Sequence, residues 1–157
     1  MKGSSYIQLP SELRDSVKGL INLQHKDNEC FRWCHIRPLN PQEKVPQRIK
    51  RCDKALVEKL NYSEIEFPVA VKQYNKIEKL NNININGFGY EDKQPYPIYV
   101  SKEKFKNIMN LLLITEGDSK HMFFSKTLIC PCTTKLSINI ESISVCIVYK
   151  ALVVMMC

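Results

Sequence analysis

Cys30, Cys34 and His35 stand in one short run, Asp27-Asn28-Glu29-Cys30-Phe31-Arg32-Trp33-Cys34-His35, which holds two of the seven cysteines and the only tryptophan. A thiol in the first turn of a helix is stabilised as thiolate by the unpaired amides there. A histidine opening a late strand can serve as its base, and Cys30 followed by His121 is the chain order of papain-like and deubiquitinase-like cysteine peptidases. In that arrangement Cys30 is the nucleophile and His121 the base. The plainer reading makes Cys30 and Cys34 core thiols, since free cysteine is among the most buried residue types. It makes His35 a partly exposed helix histidine. Chain order does not fix geometry, so the expectation is a non-catalytic chain, with the Cys30/His121 pair as the alternative.

Other chemistries find less support. Two-metal phosphoryl transfer needs clustered carboxylates, whereas Asp27, Asp53, Asp92 and Asp118 fall singly where turns or helix ends are expected. Gly87-Phe88-Gly89 is too short a glycine-rich run for a phosphate loop, and no helix follows it. Cys130-Pro131-Cys132 is a poorly spaced pair for zinc, with Cys146 and Cys157 but no histidine after it. No metal or cofactor is expected.

These residues need elements to hold them. Asp27 or Asn28 can cap a central helix starting near Cys30, with Glu29 favourable at its positive end. Cys30, Phe31, Trp33 and Cys34 give it an apolar face, and Pro38 and Pro41 are expected to stop it. Ser11 caps a short helix to about residue 20 bearing Leu13, Val17 and Leu20, after an extended Tyr6-Ile7-Gln8-Leu9. Pro46 opens another helix, with Ile49, Cys52, Leu56 and Leu60 on one side and basic residues on the other. Those charges read first as a solvated face, because no aromatic residues interleave with them. Ile65 to Val69 reads as extended, and Val71, Tyr74, Ile77, Glu78 and Leu80 predict a third helix. Ile83-Asn84-Ile85-Asn86 alternates apolar and polar, the pattern of a half-buried strand. Pro97 to Ser101 and Ile108 to Ile114 add two more, the last closed by Glu116-Gly117-Asp118. Helices before strands predict an α+β fold: N-terminal helices packed on a small, mainly antiparallel sheet.

A length of 157 residues suits one domain with a real core. A hydrophobic content of 44% and 25% charged residues are ordinary globular values, and a net charge of +7 permits contact with nucleic acid, although basic side chains scattered through the first two thirds read first as general solubility. Seven cysteines, an odd number, without a secretory signal before them point to reduced thiols in the nucleus or cytoplasm. The most apolar run, residues 143 to 157, is interrupted by Lys150 and falls short of the roughly 20 residues that cross a bilayer. No membrane span is expected.

Up to His121 the chain resembles the N-terminal region of proteins of Polinton or Maverick type DNA transposons and related viruses, which carry a protein-primed family B DNA polymerase further along. The resemblance rests on Gly3-Ser4-Ser5-Tyr6-Ile7, Glu29-Cys30-Phe31-Arg32-Trp33, Leu39-Asn40-Pro41, Ile65-Glu66-Phe67-Pro68, Phe88-Gly89-Tyr90-Glu91, Pro97-Ile98-Tyr99-Val100-Ser101 and Asn110-Leu111-Leu112-Leu113-Ile114. It implies an accessory role beside a polymerase, with DNA or a polymerase component as partner. In that family the segment after the matching Lys120-His121 leads into a zinc finger beginning F-C-x-x-C. Here residues 122 to 157 have 23 hydrophobic side chains and the single acid Glu141. Permitted codons for Ser137 to Cys157, shifted by one base, can spell a segment containing F-C-x-x-C. Residues 1–121 are therefore expected to form the globular domain, and 122–157 to be an out-of-frame tail without a native fold.

Overall fold

The computed structural model describes residues 8–16, 19–25, 27–117, 119–127 and 129. Helix α1 spans Ser11–Ser16 and buries Leu13. A two-residue strand β1, Leu20–Ile21, precedes the central helix α2, Cys30–Leu39, and α3 follows at Arg51–Val57. One 3-10 turn, Val71–Gln73, leads into α4, Tyr74–Asn81. Four strands complete the order: β2 Ile83–Glu91, β3 Gln94–Val100, β4 Asn107–Glu116 and β5 Ser119–Ser125. This is an α+β fold, with a five-stranded sheet in the order β1-β5-β4-β2-β3. All pairings are antiparallel except β2 with β4, which run parallel.

Helix α2 lies against β4 and β5, and α4 against β2. Between them is the larger core, which includes Cys30, Phe31, Cys34, Ile77, Ile85, Met109, Leu111, Met122 and Phe124. On the opposite side of the sheet, Leu13 closes a smaller core with Phe88, Leu112, Ile114, Phe123 and Ile129. The sheet is thus covered on both faces. That is why β2 is buried from Ile83 through Gly89 rather than on one side as its alternation predicts.

The parallel pair requires the chain to pass from one side of β2 to the other, and two asparagines hold that passage. Asn84 accepts from the Phe105 amide (3.0 Å) and donates to the Phe105 carbonyl (2.9 Å). Asn86 accepts from the Ser101 amide (3.2 Å) and donates to Asn110 Oδ1 on β4 (2.9 Å). A buried amide side chain left without partners costs about 1–3 kcal/mol, so these bonds favour this register over its alternatives.

Several boundaries differ from expectation. Helix α2 continues through Pro38, because a proline in the last turn forfeits one backbone bond, and the Asn40 amide still closes the helix on Ile36 (2.7 Å). Helix α3 begins at Arg51 rather than Pro46, and it buries Asp53 and Val57 while Cys52 is exposed. Residues 65–69 form no strand; they carry the cis Phe67–Pro68 peptide, and Ile65 and Val69 reach the core. The boundary expected after His121 falls inside β5. Met122, Phe123 and Phe124 are 6%, 0% and 6% exposed, paired with Leu113, Leu112 and Leu111 of β4. An apolar, β-prone segment meeting an open strand with apolar cover on both faces is held by backbone pairing and burial together. The rest of the expected tail, with Cys130, Cys132, Cys146 and Cys157, lies outside the described residues.

Candidate functional site

Cys30 opens α2 and Cys34 follows one turn later, both facing the larger core. Asp27 organises the entry to the helix by accepting from the Glu29 amide (2.9 Å) and from the Trp33 indole (2.9 Å). Asp27 stands three residues ahead of the helix and binds none of its first-turn backbone amides, so the expected side-chain cap is not made; Asp27 fixes the entry turn and the Trp33 indole instead. It does not produce a reactive thiol. Burial pushes the Cys30 thiol above its ordinary value, against weaker lowering by the Met122 and Phe31 backbones. Burial drives Cys34 well above it, and the Cys34 thiol points to the Met122 carbonyl (3.8 Å). Removal from water opposes the charged form more strongly than the helix end favours it.

His121 is not brought to Cys30. Neighbouring residues of a strand point to opposite faces of the sheet. Met122 and Phe124 face α2 and the thiols, whereas Phe123 belongs to the other core and lies edge-on to His121, with ring centroids 5.0 Å apart. The His121 ring stacks on His25 (5.6 Å, 14° between planes), and its Nε2 lies 2.8 Å from Asn22 Oδ1. Burial, followed by the nearby His25, holds its pKa at about 4. A nucleophile and a base on opposite sides of one sheet cannot exchange a proton directly. His35 is likewise internal rather than partly exposed. It is 1% exposed, its Nδ1 lies 2.8 Å from the Tyr62 hydroxyl, and burial lowers its pKa to about 4.

The glycines near Phe88 serve packing. A Cβ on Gly87 would meet the Tyr74 ring of α4 at 3.0 Å, and one on Gly89 would overlap the Tyr96 ring at 2.4 Å. Among the described residues, no group of three His, Cys, Asp or Glu is placed to hold a metal ion, and no helix is long and apolar enough to cross a membrane.

The structure instead builds a polar centre between the end of α2 and the start of α3. Arg37, 2% exposed, donates to the Pro46 carbonyl (2.9 Å), the Arg48 carbonyl (3.1 Å) and Asp53 Oδ2 (3.3 Å). Asp53, 0% exposed, also accepts from Asn40 (2.9 Å), Gln42 (3.2 Å) and the Lys50 amide (2.9 Å). Burial pushes its carboxyl up, but the Lys50 amide, Arg37 and Asn40 outweigh burial and hold it below the ordinary carboxylate range. Far from answering only to local backbone, Asp53 is the partner of a buried cation. The legible signal was an acid three residues into a helix, a position that reaches back to the capping amide; its Arg37 partner left no such signal.

The electrostatic result lies on the surface. Residues 44–59 carry six exposed cations, Lys44, Arg48, Lys50, Arg51, Lys54 and Lys59. Of the two acids in that stretch, Asp53 is spent internally on Arg37 and only Glu58 is exposed. Among the described residues none of the six is in an ion pair. Compared with protein-family models, curated proteins and solved structures, the chain matches none.

Proposed function

We propose that this chain is a non-catalytic accessory module that binds nucleic acid through the basic segment 44–59, related to the mobile-element polymerase-associated proteins that its first 121 residues resemble. The observation that carries the reading is the inward turn of Asp53. An acid that would neutralise the segment is consumed by Arg37, leaving cations in excess at the surface. Exposed lysines and arginines without fixed counter-charges gain from phosphate contact through counterion release. The placement of Cys30 and His121 on opposite faces speaks against peptide hydrolysis by that pair.

Fluorescence anisotropy of labelled DNA across about 50 to 200 mM salt tests the reading. Binding that weakens steeply with salt is expected, and the triple substitution Lys50→Glu, Arg51→Glu, Lys54→Glu is expected to abolish it. All three side chains are exposed, so the fold should persist. Absence of binding at low salt, or full binding by the triple variant, would overturn the proposal.

A further inference from the structure

The turn at 45–48 combines three features that solvation of a basic face does not require. Val45 is 52% exposed, and its backbone sits at φ +50°, a left-handed conformation that crowds a β-branched residue. On either side stand exposed Lys44 and Arg48. The turn is nevertheless firmly held: Arg48 donates its amide to the Val45 carbonyl (3.1 Å), and the next three carbonyls are bound by buried Arg37 and by the segment before α2. Arg37 takes those of Pro46 and Arg48, and the Gln24 amide takes that of Gln47 (3.0 Å). With these carbonyls bound, exposed Lys44, Val45 and Arg48 stand on a fixed frame.

Resting on the nucleic-acid reading above, we propose that Val45 is the apolar contact of a duplex interface, seated in a groove while Lys44 and Arg48 take the flanking phosphates. Groove-binding proteins combine these parts, an apolar side chain against sugar and base edges and cations against the backbone. Duplex fits better than single strand, because no exposed aromatic side chain lies between residues 41 and 59 to stack on bases. Beside the turn, the Asn40 and Gln42 amide nitrogens are occupied by Asp53, which leaves half-buried Gln47, within the turn, as the amide side chain placed for base readout. Backbone strain persists at Val45 because the turn is bound on both sides, a circumstance more common at functional positions than elsewhere.

The test uses the full chain with Val45→Ser, Val45→Gly and Lys44→Ala, each titrated against duplex DNA, the matching single strand and vesicles of mixed zwitterionic and anionic phospholipid. Val45→Ser should weaken duplex binding about fivefold or more with the salt slope unchanged, since no charge is lost; Lys44→Ala should lower the slope by about one. Val45→Gly separates contact from folding: glycine relieves the left-handed strain, so thermal stability should rise while duplex affinity falls. Duplex affinity unchanged in both Val45 variants, or a Val45 effect confined to single strands or to vesicles, overturns the inference while leaving the basic segment intact. Loss of all nucleic-acid binding by the wild-type chain would instead overturn the underlying function.

Discussion

Removing Asp53 strands a charge. In Asp53→Ala, Arg37 keeps its two carbonyl partners but loses the carboxylate that lies 3.2 Å from Nη1 and 3.3 Å from Nη2, in a place where its side chain is 1% exposed. Asn40, Gln42 and the Lys50 amide lose an acceptor at the same time. Breaking a buried ion pair from one side costs about 3–5 kcal/mol. Against a typical total of about 5–15 kcal/mol, that is a large part of the stability. Arg37→Met alone should cost less, since Asp53 keeps three neutral donors. The double variant removes both charges, so its loss should fall short of the sum of the single losses by about 2 kcal/mol. Urea unfolding followed by Trp33 fluorescence measures all three; Trp33 is the only tryptophan and sits on α2 with Arg37. Additivity of the two substitutions within about 0.5 kcal/mol would show that Arg37 and Asp53 are not coupled and would refute the reasoning.

Three further outcomes follow from the same geometry. Gly87→Ala should destabilise by about 1–3 kcal/mol, because the added methyl meets the buried Tyr74 ring. Gly89→Ala should cost less, since the Tyr96 ring it displaces is 45% exposed and can swing outward; equal losses in urea melts would contradict this. His35 and His121 are held neutral in the fold, near pKa 4 against 6.5 in the open chain. Their stabilisation is complete above about pH 6.5 and is lost as pH falls toward 4, by up to about 3 kcal/mol for each imidazole. His35→Phe and His121→Phe should each flatten a pH series of urea midpoints over that window; an unchanged slope would count against both. The contribution of Asp53 has the same sign in a lower window: its carboxyl is held below its ordinary value, so the stabilisation is present above the ordinary carboxylate range and is lost as pH falls below it. Finally, alkylation of the native chain read by peptide mass spectrometry should modify exposed Cys52 quickly and Cys30 and Cys34 only on unfolding; rapid modification of Cys30 would contradict its burial.

Local periodicity determined the helix at Cys30, the helix carrying Tyr74 and Ile77, and the strands from Ile83, Pro97 and Ile108 onward, because spacing along the chain dictates which side chains share a face. It also established the class, α+β, and the positive charge. It could not say which polar residues of those elements would meet water. Asn84 and Asn86 have the alternation of a solvent face, but β4 runs parallel to β2, and the loop between β3 and β4 is fastened by their amides. Asp53 and Arg37, 16 residues apart in sequence, became partners only when α3 was laid across the end of α2. The same holds for Cys30 and His121: sequence supplies their order, whereas the pleat of β5 turns Met122 toward α2 and its thiols and His121 away. Which face a side chain takes, and what meets it there, depends on contacts distant in sequence, and those exist only once the sheet has closed.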